Sequence, residues 1–521
     1  MIRITGLWSL YFIAKIALHH LGYINLLLAW NVLLALYVYF PIKNKLVRLI
    51  RSLSGFICAV SLAWKEFNLP SPAYVLQQAK NIAGFSFEYQ LELIARVLNY
   101  EVISIAAAFL FIYLLLAQRI RFSSFAWLGF LSIILFPTTS INAIQSNVAT
   151  SNNADVTNNT QNAAIASDEM IGKFFEEEEN KRIIFNEKWG KDFDVILAHW
   201  CSVSWDDLAF VELSDHPFIK TADIAFTRFN SATSYSGPAS LRVLHGTCGQ
   251  QKHSTLYSSN DASCFLFPAL EKAGFETHAL MNHDGKFDNF AKELEERAGL
   301  SGKLKLPSGP GATLRSFDNS LIYSDFDILS KWQSQRTQGI TKPAFLYYNT
   351  ITMHDGVRGI NSNDRNSLNT YRPRAQTMLD EFEKLKKQIQ QSQRPTVLII
   401  VPEHGANLRG DNMQIAGMRE IPSPRISLGP ALVHLINTSE SSSAPLVVDK
   451  TVSYFDLFSL LNDLLKTSPF GSEAPPLQAR VNQLQGTRFV SESASATVMQ
   501  TDDQQYWVKT TGSNVWIKYN N

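Results

Sequence analysis

The sequence predicts an α/β protein in two parts, an N-terminal membrane anchor of about five helices followed by a soluble α/β sheet domain. Three observations carry this. Long apolar runs crowd into the first 145 of 521 residues, and a polar stretch follows them. From Asp194 onward, short aliphatic runs alternate with helical patterns, the mark of a sheet covered by helices. The chain is too long for one ordinary domain. Its net charge of +1 gives no global basic field, so no nucleic-acid partner is expected.

The five apolar runs are roughly Ile4 to Ala17, Ile24 to Ile42, Leu46 to Trp64, Glu101 to Ala117 and Phe125 to Ile141. Each approaches the ~20 residues that a helix needs to cross hydrocarbon. Lys15, His19 and His20 interrupt the first. A cleaved signal peptide would account for that run alone, not for the next four. Lys43, Lys45, Arg48 and Arg51 lie between the second and third runs, and Arg119 and Arg121 between the fourth and fifth. The positive-inside rule puts both clusters in the cytoplasm. The N-terminus is then inside, and everything after Ile141 is outside. Between the third and fourth runs, Leu91, Ile94, Val97 and Leu98 keep helical spacing. That segment reads either as a helix lying in the membrane surface or as a plain loop helix.

Residues 142–167 are rich in Asn, Thr, Ser and Ala with no apolar period, as in a polar tether. The expected division is an anchor over 1–145, a linker over 146–175 and an α/β domain over 176–521. Within that domain the runs "DVILAHW", "IAFTRF", "THALM", "PAFLYYNT" and "TVLIIV" read as strands. "QTMLDEFEKLKKQIQQ" is an amphipathic helix with Met378, Phe382, Leu385 and Ile389 on one face. The tail predicts a hairpin turning at Gly512, Ser513 and Asn514.

Ligands of open α/β sheets bind at the carboxyl ends of strands, so the residues just past each run matter most. "TVLIIV" reads as a strand buried on both faces, and it empties onto Glu403, His404 and Gly405. The first strand ends on Cys201. His354, Asp355 and Gly356 follow "PAFLYYNT", and Ser236 sits on a Gly237-Pro238 turn after the second strand. If these strands are parallel neighbours, Cys201, Glu403 and His404 converge on one metal. Zinc suits a thiolate, imidazole and carboxylate set. A serine oxygen in the open position would lose its proton more readily and act as a covalent nucleophile. Plainer readings stand beside this one: a small buried cysteine, a Glu-His helix cap, and serines that only make a turn. Spacing alone does not choose between them.

Of four cysteines, Cys58 falls in a predicted span. Cys248 and Cys264 flank a short polar segment of the exported domain, where disulfides persist, and are expected to pair. Cys201 is left as the free thiol outside the membrane, which fits metal binding or full burial.

The motifs "CSVSWDDL", "FNSATSYSGPASLR", "CGQQKHSTLY", "YYNTITMHDG", "VPEHGANLRGD" and "MQIAGMREIPSPR" resemble, in this order, the cellulose-modifying branch of the membrane-anchored phosphoethanolamine transferases. These belong to the alkaline phosphatase superfamily, and the resemblance runs from Asp194 to the C-terminus. It implies an alkaline-phosphatase-like α/β sandwich with a small C-terminal β hairpin, held in the periplasm by a multi-pass anchor in a bacterial inner membrane. It also implies transfer of phosphoethanolamine from phosphatidylethanolamine to the glucose C6 hydroxyl of cellulose through a covalent phosphoserine-type intermediate. By motif match, Ser236 would be the nucleophile, and Cys201, Glu403 and His404 would hold Zn2+ with the Ser236 oxygen. His354 would be the acid/base; Tyr235 and Arg419 would line the pocket, Arg419 as a phosphate partner. The resemblance further implies association with the cellulose synthase complex. His283-Asp284-Gly285 echoes the His354 motif and reads either as a neighbour of the site or as a turn or helix start.

Two rivals share the expected fold. Lipid A phosphoethanolamine transferases generally use threonine as the nucleophile and an acidic residue where Cys201 stands. A sulfatase would need Arg four residues after its nucleophile, where this chain has Ser240. A third rival, a non-catalytic scaffold for cellulose secretion, would not need Ser236.

Overall fold

The computed structural model describes residues 4–67, 82–135, 168–186 and 193–519, apart from positions 22, 23, 25, 98, 99, 118, 259, 260, 309, 310, 338–341, 363, 365, 439–443, 472, 473 and 514. The chain forms two compact units, Met1–Ala83 with Gln90–Gln161, and Gly84–Tyr89 with Asn162–Asn521.

In the first unit, helices Ile4–His20, Leu28–Tyr39, Lys45–Glu66, Tyr100–Leu116 and Phe122–Leu135 overlap the five apolar runs, and residues 136–141 of the fifth run lie outside the described residues. Among the described residues, one of them, Lys45–Glu66, is both long and apolar enough to cross a membrane. Phe12, Leu34, Val38, Ala59, Ala126 and Phe130 pack together inside. Outside, Phe56, Leu33 and Leu128 are 64%, 56% and 60% exposed, the reverse of a water-soluble surface. Lys15, the charge that interrupts the first run, is buried and paired with Glu66, and it donates to Asn31 Oδ1 at 2.6 Å. A buried charge needs such partners. Helix Phe87–Val97 carries Leu91 and Ile94, both exposed; Leu98 lies outside the described residues, as does the whole polar stretch 142–167.

The second unit is built on an eight-stranded sheet. Its strands are β1 (Asp194–Trp200), β2 (Ile224–Asn230), β3 (Glu276–Met281), β4 (Leu304–Lys305), β5 (Ala344–Thr350), β6 (Thr396–Pro402), β7 (Leu428–Ile436) and β8 (Leu446–Val448). Their spatial order is β8-β2-β7-β6-β1-β5-β3-β4. Only β7 runs against the rest. The carboxyl ends of β1, β2, β3, β5 and β6 therefore share one edge. Every residue of β1, β5 and β6 is buried, as expected of parallel strands covered on both faces. On one face, Met378, Phe382, Leu385 and Ile389 of helix Tyr371–Gln391 belong to the core of Leu398 and Ile400. On the other, Leu457, Phe458 and Leu461 of helix Tyr454–Lys466 join Val397 and Ile399. Each such apolar side chain contributes about 1.5–3 kcal/mol on burial.

Two features depart from the sequence reading. Strand β7 was not expected, because its Gly429-Pro430 opening resembles a turn. Pro430 has no N–H to give a ladder, and the pairing with β2 shifts register between Gly429 and Ala431. The C-terminal hairpin is corrected to a four-stranded antiparallel sheet, Val490–Glu492, Ala496–Gln500, Tyr506–Thr510 and Ile517–Lys518. An additional tight turn at residues 501–505 divides what looked like one long strand. Gln504 takes a φ of +63° there, and Thr501 N–H donates to Gln505 O at 2.9 Å. Residues 168–179 are helical, and their Phe174 and Phe175 pack on Val490, Met499 and Trp516 of this sheet region. Cys248 and Cys264 are disulfide-bonded, with Cα atoms 5.2 Å apart. Cys201 is a buried free thiol, and Cys58 is free and exposed.

Candidate active site

The loops after β1 and β6 are laced together. Glu403 N–H donates to Trp200 O at 2.8 Å, Val203 N–H to His404 O at 2.7 Å, and Cys201 N–H to Thr350 O at 3.1 Å. This brings Cys201, Glu403 and His404 onto one spot with their side chains 1%, 0% and 1% exposed. One ligand atom from each lies within 4.8 Å of the others. Ser236 opens helix Ser236–Leu244, so the positive end of that helix dipole meets its hydroxyl. Its Oγ stands 3.3 Å from Cys201 Sγ and 3.3 Å from His404 Nε2.

The imidazole is oriented by its far nitrogen. His404 Nδ1 donates to Gly405 O at 2.9 Å, which leaves the Nε2 lone pair facing Cys201 and Ser236. Glu403 is asymmetric. Its Oε1 accepts from Asn349 Nδ2 at 2.5 Å, while Oε2 is buried without a hydrogen-bond partner. Burial pushes the Glu403 carboxyl up. It pushes the Cys201 thiol well up too, with Glu403 adding to the effect. His404 is held well down by burial and by Arg419. A carboxylate oxygen without a hydrogen-bond partner, a ring nitrogen whose lone pair faces Ser236 and Cys201, and a thiol fit a cation, which would replace the missing partner and draw the proton from sulfur.

Arg419 lies against His404, its Nη1 3.1 and 3.3 Å from the two ring nitrogens, and donates to Ser202 Oγ at 3.2 Å. Its guanidinium sits over the Tyr235 ring at 5.6 Å, and the Tyr235 hydroxyl donates to Glu420 Oε1 at 2.7 Å. His354 is half-buried and lies on Phe317, with ring centroids 4.5 Å apart. Its Nδ1 donates to Asp355 O at 2.7 Å, so Nε2 is its basic nitrogen. Burial and the nearby Arg419 charge lower its pKa to about 4, which keeps it neutral near pH 7. All seven residues singled out in the sequence thus stand at or beside one edge of the sheet.

Several residues that hold this geometry were not singled out. Ser202 adopts a φ of +56°, a strained conformation for serine. Its carbonyl accepts from Tyr371 OH at 2.7 Å. Asp207 caps helix Trp205–Phe210 in a capping box with Ser204 and also accepts from the N–H groups of Ala406 and Leu408. The Ser204-x-x-Asp207 pattern was the available signal. Gly405 is required for close approach, because a Cβ there would come within 2.7 Å of Asp207 Oδ2 and of Ser204. His199, under the site, is 3.7 Å from Glu403 Oε1, and burial alone lowers its pKa to about 3.

A family model described as the cellulose biosynthesis protein BcsG C-terminal domain matches residues 149–516, and the N-terminal domain model of the same family matches residues 8–135. The chain belongs to the BcsG family. The cellulose biosynthesis protein BcsG of Salmonella typhimurium is 31% identical over 541 residues, covering 98% of this chain and 96% of that one. The Escherichia coli protein of the same name is 30% identical with the same coverage. Among solved structures, a protein in the alkaline phosphatase superfamily from Vibrio parahaemolyticus is similar at a TM-score of 0.47. It is 16% identical, over 64% of this chain and 81% of its own.

Proposed function

We propose that this BcsG family member is a zinc-dependent phosphoethanolamine transferase. It takes the group from phosphatidylethanolamine and passes it to the glucose C6 hydroxyl of nascent cellulose. One observation carries the reading: a buried Cys201, Glu403 and His404 cluster faces a serine hydroxyl at a helix N-terminus, 3.3 Å from both sulfur and imidazole. Membership of a cellulose biosynthesis family supports the acceptor and an association with the cellulose synthase complex.

Cys201, Glu403 and His404, with Ser236 Oγ, would hold the zinc. When bound, zinc supplies positive charge that lowers the serine pKa and offsets the phosphoryl charge. Ser236 Oγ attacks phosphorus and loses its proton, and the bond from phosphorus to the diacylglycerol oxygen breaks. The departing alkoxide gains a proton in exchange. His354 Nε2, which is neutral, takes the Ser236 proton and hands it to that alkoxide. In the second half, the sugar hydroxyl attacks phosphorus, its proton passes to His354 Nε2 and on to the Ser236 oxygen, and the Ser236 Oγ–phosphorus bond breaks. Arg419 and the helix dipole at Ser236 stabilise the phosphoryl oxygens in both halves, and Tyr235 holds Arg419 in place. One pocket thus serves a lipid donor and a polymer acceptor in turn.

The five helices over 1–145 would form a multi-pass anchor in a bacterial inner membrane. The linker expected over 146–175, whose last residues join a helix packed on the C-terminal sheet region, and the catalytic domain over 176–521 would lie in the periplasm. The apolar exterior of the first unit and the two basic clusters support this. The test compares cells carrying the intact chain with cells carrying Ser236→Ala. Phosphoethanolamine should vanish from the secreted polysaccharide and stay unchanged on lipid A. Polysaccharide that keeps the modification in the variant would refute the role of Ser236. A loss from lipid A alone would refute the acceptor.

A further inference from the structure

Asn349, the next-to-last residue of β5, joins two residues that the sequence leaves far apart. Its Nδ2 donates to Glu403 Oε1 at 2.5 Å, and its Oδ1 meets His283 Nε2 at 3.0 Å. Chemistry forces these directions. An ionised carboxylate only accepts, so Asn349 must turn its NH2 toward Glu403 and its oxygen toward His283. That oxygen requires a donor, so His283 Nε2 carries the hydrogen.

A second contact fixes the same tautomer independently. His283 Nδ1 accepts from Gly285 N–H at 3.2 Å. Gly285 reaches this position with a φ of +62°, and a Cβ there would come within 2.6 Å of Ala291 Cβ, so glycine is required. The His-Asp-Gly stretch after β3 therefore makes a turn whose product is a histidine of defined tautomer. Strand register puts it in place, because Met281 of β3 pairs with Asn349 of β5. His283, Asn349 and Glu403 are 7%, 0% and 0% exposed. The other Asn349 hydrogen points to Tyr347 OH at 3.5 Å.

We propose that His283 and Asn349 form a hydrogen-bond relay that orients Glu403, occupying Oε1 so that Oε2 is the oxygen presented to the metal. Oε1 also lies 3.5 Å from Ser240 Oγ, whereas Oε2 has no hydrogen-bond partner and stands 3.9 Å from His404 Nε2. Both relay members are positioning residues that touch neither donor lipid nor acceptor sugar. The inference rests on the metal reading of Cys201, Glu403 and His404.

The test uses the full-length chain in detergent. Zinc affinity is read by competition with a chromogenic chelator, and ligand geometry by the visible spectrum of the cobalt-loaded protein. Asn349→Asp places a second carboxylate against Glu403, and His283→Ala removes the donor that fixes the amide. Each should weaken zinc by about ten- to hundred-fold, the usual cost of losing such an outer partner, and should shift the cobalt bands. His283→Gln, which still offers an N–H to Asn349 Oδ1, should restore most of the affinity. Melting of the metal-free proteins separates this from a general loss of fold; if Asn349→Asp does not fold, the two His283 variants decide. Zinc binding within about twofold of wild type in a folded His283→Ala protein, with unchanged cobalt bands, would overturn the relay while leaving the metal reading intact. Failure of the wild-type protein itself to bind zinc would overturn both.

Discussion

Replacing Gly405 with alanine tests whether the close approach of two loops sets the geometry of the site. The added Cβ would stand 2.7 Å from Asp207 Oδ2, Ser204 Cβ and Ser204 Oγ, against an ordinary lower limit of 3.4 Å. About 0.7 Å of movement is therefore needed, several times the ~0.2 Å tolerance of metal–ligand distances. The obstructing atoms have little freedom, since Asp207 and Ser204 are locked in a capping box and Asp207 also holds Ala406 and Leu408. The strain should fall on His404, one bond upstream. Overpacking of this kind costs about 1–3 kcal/mol of stability, and a displaced ligand should weaken zinc by about ten- to hundred-fold. Thermal melting of the metal-free protein measures the first quantity, and chelator competition measures the second. A Gly405→Ala protein that binds zinc within about twofold of wild type would refute the view that this contact positions His404.

Two other predictions concern the fold. His434 is buried against Phe218, and burial with the Lys386 charge lowers its pKa to about 3, against a smaller opposing hydrogen bond to the Thr221 backbone. The unfolded chain binds this proton near pH 6.5, so the stability contribution is complete above that pH. It falls progressively toward pH 3, by as much as about 5 kcal/mol; His434→Leu should lower the acid-unfolding midpoint, and an unmoved midpoint would contradict the assignment. The Cys248–Cys264 disulfide closes a loop with a sequence separation of 16, worth about 3 kcal/mol. Reduction should lower the melting temperature of the second unit, and a melt indifferent to reductant would count against it.

How much of this was legible in the sequence follows from the range of the interactions involved. All five expected strands form, because runs such as "TVLIIV" bury on both faces and declare themselves locally. Glu403, His404 and Cys201 were legible as strand-end residues. Their convergence required only that the strands be parallel and adjacent, as β6-β1-β5 are. Ser236 reaches the same edge from β2 across the antiparallel β7, a crossing that its Gly-Pro opening concealed. Asn349 was invisible for a different reason. It is an inward residue of a buried strand, and nothing in "PAFLYYNT" separates a packing amide from one holding a carboxylate 54 positions away. His283 stands in a His-Asp-Gly motif whose local pattern fits a turn as well as a neighbour of the site. The turn is real, and its consequence appears only through β3–β5 register.

The most direct test of the central claim, that Ser236 is a nucleophile set beside a metal site, is intact-mass analysis of the purified chain after exposure to phosphatidylethanolamine without acceptor. The mass should rise by one phosphoethanolamine group, located by peptide analysis on Ser236, and the increase should vanish on treatment with chelator beforehand and in Ser236→Ala. An adduct on any other residue, or one that forms equally in Ser236→Ala, would contradict the account.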